Sequence, residues 1–213
     1  PAGLLGGIGG GNYKPDAGGK RDINSTTIGG YLTYTPGNGF YADVSYRGFS
    51  FDGQAFGDVP SIPFSGDASG YSLELGYGFK TQSGLEIEPQ LQYSSVDVSL
   101  DEIRSGNDDC ELTDGDSSMI RAGVALRKSY EQHSGVWTPY TSLNYVDITS
   151  ASNDYLIGGV LEGGVDVTGG SFLLELGTDA KYGDLLFNLG VGVQDGGAYE
   201  FVYSAQMNVR YSW

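Results

Sequence analysis

Along most of the chain, apolar side chains occupy every second position, and polar or small ones fill the gaps. The last segment shows this most cleanly. Tyr203, Ala205, Met207, Val209, Tyr211 and Trp213 fall on one face, and Val202, Ser204, Gln206, Asn208, Arg210 and Ser212 on the other. Tyr71–Phe79 sets Tyr71, Leu73, Leu75, Tyr77 and Phe79 against Ser72, Glu74, Gly76 and Gly78. In Leu85–Ser94, Leu85, Ile87, Leu91 and Tyr93 oppose Glu86, Glu88, Gln90 and Gln92. Phe40–Arg47, Ile120–Arg127, Trp137–Asn144, Phe172–Ala180 and Phe187–Val193 alternate alike; Ile28–Tyr34 does so weakly, and Leu4–Tyr13 is placed by its glycines. A period of two marks β-strands, because successive side chains leave the pleat on opposite sides, and helical spacing is nearly absent. The pattern predicts an all-β chain of about ten antiparallel strands in up-and-down order.

The connections alternate in length. Lys14–Ser25, Asp52–Gly70, Asp97–Ser118 and Thr149–Gly170 are long, whereas Thr35–Gly39, Thr81–Gly84, Lys128–Gly135 and Lys181–Asp184 are short, and Gln194–Glu200 is intermediate. Membrane barrels carry short periplasmic turns and long extracellular loops, so this parity predicts one domain, residues 1–213, folded as a transmembrane β-barrel.

Alternation alone does not say which face points outward. A soluble, lipocalin-like barrel would turn the apolar set inward. Three features favour the inverse. The polar face is mostly Gly, Ser, Asn, Gln and Glu, with little lysine. Aromatic residues sit near strand ends (Phe40, Tyr46, Tyr71, Phe79, Tyr93, Trp137, Tyr145, Tyr211, Trp213), as interfacial girdles require. The most regular strand ends the chain on an aromatic residue. The apolar faces carry no charge, while Asp43, Arg47, Glu74, Glu86, Glu88, Arg121, Arg127, Glu175, Asp179 and Arg210 all share the polar face. These ten are the expected lumen lining, either as a pore or as a lattice of ion pairs filling the lumen.

Composition sharpens this reading. No run approaches the ~18–20 apolar residues of a membrane helix, but a membrane strand needs only ~9–11, alternating in character. Glycine (36) and tyrosine (16) are abundant without a collagen period. Eleven Lys and Arg against 27 Asp and Glu leave a formal charge of −16, which argues against nucleic acid as a partner. The sequence opens Pro1-Ala2-Gly3 rather than on Met, the expectation for a processed or excised chain.

The runs GFYADV (Gly39–Val44), SLELGY (Ser72–Tyr77), GLEIEPQLQY (Gly84–Tyr93), RAGVAL (Arg121–Leu126), TPYTSLNYV (Thr138–Val146), ELGTDAKYGDL (Glu175–Leu185) and NVRYSW (Asn208–Trp213) resemble, in order, strands of the autotransporter β-domain family. That resemblance implies the translocator of type V secretion. Such a translocator is a twelve-stranded outer-membrane barrel with a helix through its pore, which exports and anchors an N-terminal passenger. On this reading the chain begins near the family's third strand and lacks the helix and the passenger. The partners implied are outer-membrane lipid and lipopolysaccharide, periplasmic chaperones, the β-barrel assembly machinery and the passenger. Tyr203, Met207, Val209, Tyr211 and Trp213 resemble the terminal signal which that machinery reads. The alternative function is a stand-alone barrel acting as a solute pore or surface adhesin.

The remaining chemistry is sparse, and no cofactor is expected. Cys110 lies among Asp108, Asp109 and Glu111, where carboxylates oppose thiolate formation; an odd extracellular cysteine is open to pairing outside the chain. Asp108, Asp109, Glu111, Asp114 and Asp116 lack the spacing of an EF-hand and read as a solvated run. His133 is the sole histidine and falls in a short connection, on the periplasmic side, whereas the outer-membrane protease and phospholipase barrels that this chain resembles in size need a histidine at the outer rim or facing lipid from the outer half. No catalytic site is expected.

Overall fold

The structure, a computed structural model, describes residues 2–13, 20–56, 62–101, 103–105, 108–112, 115–132, 135–152, 154–157, 161–164, 168–197 and 199–211. The strands are β1 (Ala2–Tyr13), β2 (Lys20–Tyr34), β3 (Phe40–Phe56), β4 (Ile62–Tyr77), β5 (Phe79–Lys80), β6 (Leu85–Leu100), β7 (Ile103–Ser105) and β8 (Asp108–Leu112). They continue with β9 (Gly115–Lys128), β10 (Tyr130–Gln132), β11 (Gly135–Ser152), β12 (Asp154–Ile157), β13 (Leu161–Gly164), β14 (Gly169–Tyr182), β15 (Leu185–Gly196) and β16 (Tyr199–Tyr211). Among the described residues no helix is long and apolar enough to cross a membrane.

The main sheet runs β1-β2-β3-β4-β6-β9-β11-β14-β15-β16, with β5 and β10 pairing at its margin and every pairing antiparallel. These ten long strands are the ones that the alternation predicts. At one end they join by tight turns. In the Thr81–Gly84 turn, Gly84 takes φ +78°, a conformation that glycine enters without a Cβ clash. Its N–H donates to the Thr81 carbonyl at 3.0 Å.

Registers show which side chains share a face. Val44, Leu73 and Tyr93 lie across from one another on β3, β4 and β6, as do Ala122 and Tyr145 on β9 and β11. That face is exposed: Leu4 to 94%, Met207 to 70% and Phe172 to 61%. The polar face is the concave one, since its side chains reach past a neighbouring strand. Arg121 on β9 meets Glu74 on β4 across β6, and the Tyr140 ring on β11 covers Gly177 on β14 and points its hydroxyl at Gly190 on β15. Among the described residues the buried apolar side chains are only Ala125 and Val146, while Glu88, Ser142, Asn144 and Ser171 are buried polar ones. A lipocalin-like barrel would show the reverse. From Trp137 to Tyr145 the outward face of β11 is free of charge. At ~3.3 Å per residue and a tilt near 40°, that stretch covers roughly 20 Å along a membrane normal.

The long connections are shorter than expected. Asp52–Gly70, Asp97–Ser118 and Thr149–Gly170 are not simply loops: β3 runs on to Phe56, β4 begins at Ile62, β6 reaches Leu100, and β11 passes a bulge at Thr149 to end at Ser152. Lys14–Ser25 likewise gives way to β2, which begins at Lys20, and Lys128–Gly135 contains β10. Beyond the sheet, β7, β8, β12 and β13 form a small four-stranded sheet in the order β13-β12-β8-β7, which joins two of these connections.

The reason lies in the phase of the alternation. Above the row Tyr46, Tyr71 and Tyr93, the convex positions become Ser50, Asp52, Ser65, Asp67, Ser69, Asp97 and Ser99. The concave positions become Phe49, Phe51, Phe64, Ala68, Val96, Val98 and Leu100. The strands continue, and the apolar side changes over.

Between β1 and β16 no pairing occurs among the described residues, so both edges are open. Such an edge in hydrocarbon would strand its backbone donors and acceptors.

Candidate functional site

The ten expected lumen charges all stand on the concave parity, and six of them come together with bonded partners. Arg121 Nη2 donates to Glu74 Oε2 at 2.8 Å, and the Tyr41 hydroxyl donates to the other Glu74 oxygen at 2.6 Å. Arg127 Nη2 donates to Glu88 Oε1 at 3.1 Å, an oxygen that also accepts from Gln90 Nε2 at 2.7 Å. Glu175 Oε2 accepts from Ser142 Oγ at 2.8 Å, and the buried Asn144 amide lies 3.0 Å from that same hydroxyl. Asp179 accepts from Asn188 Nδ2 at 2.8 Å. A charge-assisted hydrogen bond of this kind stabilises by ~1.5–3 kcal/mol when largely buried.

The other four are placed less tightly. Asp43 accepts from the Thr33 hydroxyl on the next strand. Glu86 lies 3.8 Å from the exposed Lys80, a separation worth little in water. Arg47 packs its stem over Gly29, and Arg210 sits in register with Leu186 on the exposed β16.

Sequence reasoning missed Tyr41, Gln90, Ser142 and Asn144 as members of this lattice. Their signal was parity alone, since each occupies the concave register beside a named carboxylate. Glycine completes the fit. A Cβ at Gly123 would collide with the Asn144 side chain, and one at Gly76 with the Tyr41 ring.

On the expected assembly strand, Tyr203, Met207, Val209 and Tyr211 are all exposed on the convex face of β16, which pairs with β15. Trp213 lies outside the described residues, as do His133 and Ser134. The backbone of Cys110 lies in β8, paired to Ile103 of β7 and Ile157 of β12, so Asp108, Asp109 and Glu111 beside it lie in a short strand rather than an open loop, while Asp116 is in β9 and Asp114 lies outside the described residues. Among the described residues no three His, Cys, Asp or Glu side chains are grouped to hold a metal ion.

A curled antiparallel sheet, apolar outside and ionic within, defines a transmembrane β-barrel of the outer-membrane kind. Residues 2–194 match the autotransporter beta-domain family, and the chain belongs to it. The chain is 29% identical over 129 residues to the pertactin autotransporters of Bordetella parapertussis and Bordetella bronchiseptica. That match covers 58% of this chain and 14% of each relative. In fold it is similar to the β-domain of the Bordetella autotransporter Brka, with a TM-score of 0.78 at 20% identity, covering all of this chain and 83% of that one. The transport unit of the autotransporter AIDA-I from Escherichia coli gives 0.71 at 15% identity, covering all of this chain and 75% of that one. The protein is an outer-membrane translocator domain.

Proposed function

We propose that residues 1–213 act as one translocator domain whose concave wall guides an N-terminal passenger across the outer membrane and whose convex face anchors it there. The observation that carries this reading is the inverted wall: an uncharged apolar exterior around a lattice of Glu–Arg and Glu–Ser contacts. A translocating chain in extended form meets hydrogen-bonding groups along such a wall rather than apolar ones, and does not stick. Further strands pairing with β1 and β16 would close the seam. On this reading the domain works by passage rather than by catalysis.

The remaining partners follow from the same wall. Lipid and lipopolysaccharide meet the convex face. The assembly machinery and its chaperones take β16, through Tyr203, Met207, Val209 and Tyr211. Deleting Trp213 should lower outer-membrane levels in cells far more than refolding in detergent; equal losses would make Trp213 only an anchor.

The test of translocation uses the full gene product on intact cells. External protease should digest the passenger segment when the wall is native and leave it protected in a Leu75→Lys variant that fails to insert. A correctly folded, inserted barrel with its passenger still periplasmic would overturn the proposal.

A further inference from the structure

The phase inversion gives the concave wall two tiers. Within the membrane it presents Glu74, Gln90, Gln92, Arg121, Ser142 and Glu175. Beyond the tyrosine row the same strands turn Phe49, Phe51, Phe64, Val98, Met119 and Ile148 inward. These six are half-buried rather than sealed, and two of the rings are seated on glycines. A Cβ on Gly66 would strike the Phe51 ring, and one on Gly53 the Phe64 ring, so each aromatic lies across the glycine of the neighbouring strand. Across from them, on the convex side, Ser50 donates to Asp67 at 2.6 Å and Ser65 to Asp101 at 2.6 Å, which keeps that surface wet.

An apolar patch on the inner wall is unfavourable wherever water reaches it, unless something apolar covers it. Resting on the translocation reading above, we infer that this collar is a docking surface for apolar side chains of the passenger as they leave the lumen. The occupant must come along the concave wall, since the convex side of the collar is lined by Ser and Asp. It must also be an extended chain, because the ionic tier below offers hydrogen-bonding groups strand by strand. A segment that slides past Glu74 and Gln92 finds its first apolar partners at Phe51, Phe64 and Val98. The collar would thus hold emerging apolar residues out of water until the segments behind them arrive to pack.

The experiment places a photoreactive phenylalanine analogue at single positions of the full-length chain and illuminates cells during export. Barrel folding is checked for each variant by its heat-shifted mobility. Crosslinks to the passenger should form at Phe51, Phe64 and Val98 with at least about fivefold the yield found at the convex Ser50, because reaction requires side-chain contact at ~4–4.5 Å. Crosslinks at Gln92 but none at the three collar positions would overturn the collar and leave the translocator reading standing. No crosslink at any concave position, with the barrel folded, would overturn both. Replacing Phe51 and Phe64 together by Ser gives a second readout. The passenger should still reach the surface but acquire protease resistance several-fold more slowly, and an unchanged rate would also count against the collar.

Discussion

Two stretches of one strand obey opposite rules. Below Tyr71, β4 turns Leu73 and Leu75 outward and Ser72 and Glu74 inward. Above it, Ser69, Asp67 and Ser65 face out and Ala68 and Phe64 face in. Backbone pairing is continuous through the change, so nothing in the ladder distinguishes the two. The solvent does. Where lipid surrounds the sheet, apolar side chains belong on the convex face; where water surrounds it, the ordinary inside-outside rule returns. The tyrosine row marks the boundary, as amphipathic rings at an interface should.

The largest effect should come from moving one charge across that boundary. Leu75→Lys places an ammonium in the hydrocarbon and should cost ~2–4 kcal/mol of folding free energy in bilayers, whereas Ser69→Lys, three turns of the pleat away, should stay within ~0.5 kcal/mol. Urea unfolding from lipid vesicles, extrapolated linearly, measures both. Equal costs would remove the distinction between the two stretches.

This contrast also explains what could be read from the sequence. Alternation located all ten long strands and put their tight-turn ends close to where they lie: Phe40, Leu85 and the turns at Thr35–Gly39 and Thr81–Gly84 are as expected. It failed at the opposite ends. Phe49 and Phe51 continue the alternation of β3, but in the phase of Arg47, so a search for one apolar face stops at Tyr46. Val96 and Val98 do the same on β6. On β11 the bulge at Thr149 breaks the count outright, and Ser150 and Ser152 rejoin the register only in three dimensions. The concave lattice was half legible. Its charges announced themselves by parity, whereas Asn144 and Tyr41 are uncharged and gain their roles from Glu175 and Glu74 on neighbouring strands.

A smaller effect probes packing in the rim. Gly66→Val drives a side chain into the Phe51 ring and the Ser99 carbonyl and should cost ~1–3 kcal/mol, as overpacking does. Gly7→Ala meets nothing within 4 Å and should be nearly silent by the same unfolding assay. Phe51→Ser, removing a half-buried ring, should cost ~1–2 kcal/mol, and no measurable loss would mean that the rim has no apolar packing of its own. Smallest of all, Lys80→Ala should change stability by less than ~0.5 kcal/mol, since its 3.8 Å pair with Glu86 is exposed at the lysine. A larger loss there would show that the charges at the tight-turn end are shielded from water.

The most direct test of the inversion is a quenching scan along one strand. Single cysteines replacing Leu75, Leu73, Tyr71, Ser69, Asp67 and Ser65, in a Cys110→Ser background, each carry a small fluorophore on the convex face of the folded barrel in vesicles. The account predicts quenching by a lipid-borne quencher at 75 and 73, by an aqueous quencher at 69, 67 and 65, and by both at 71. Lipid quenching that persists through 67, or aqueous quenching already at 73, would contradict it.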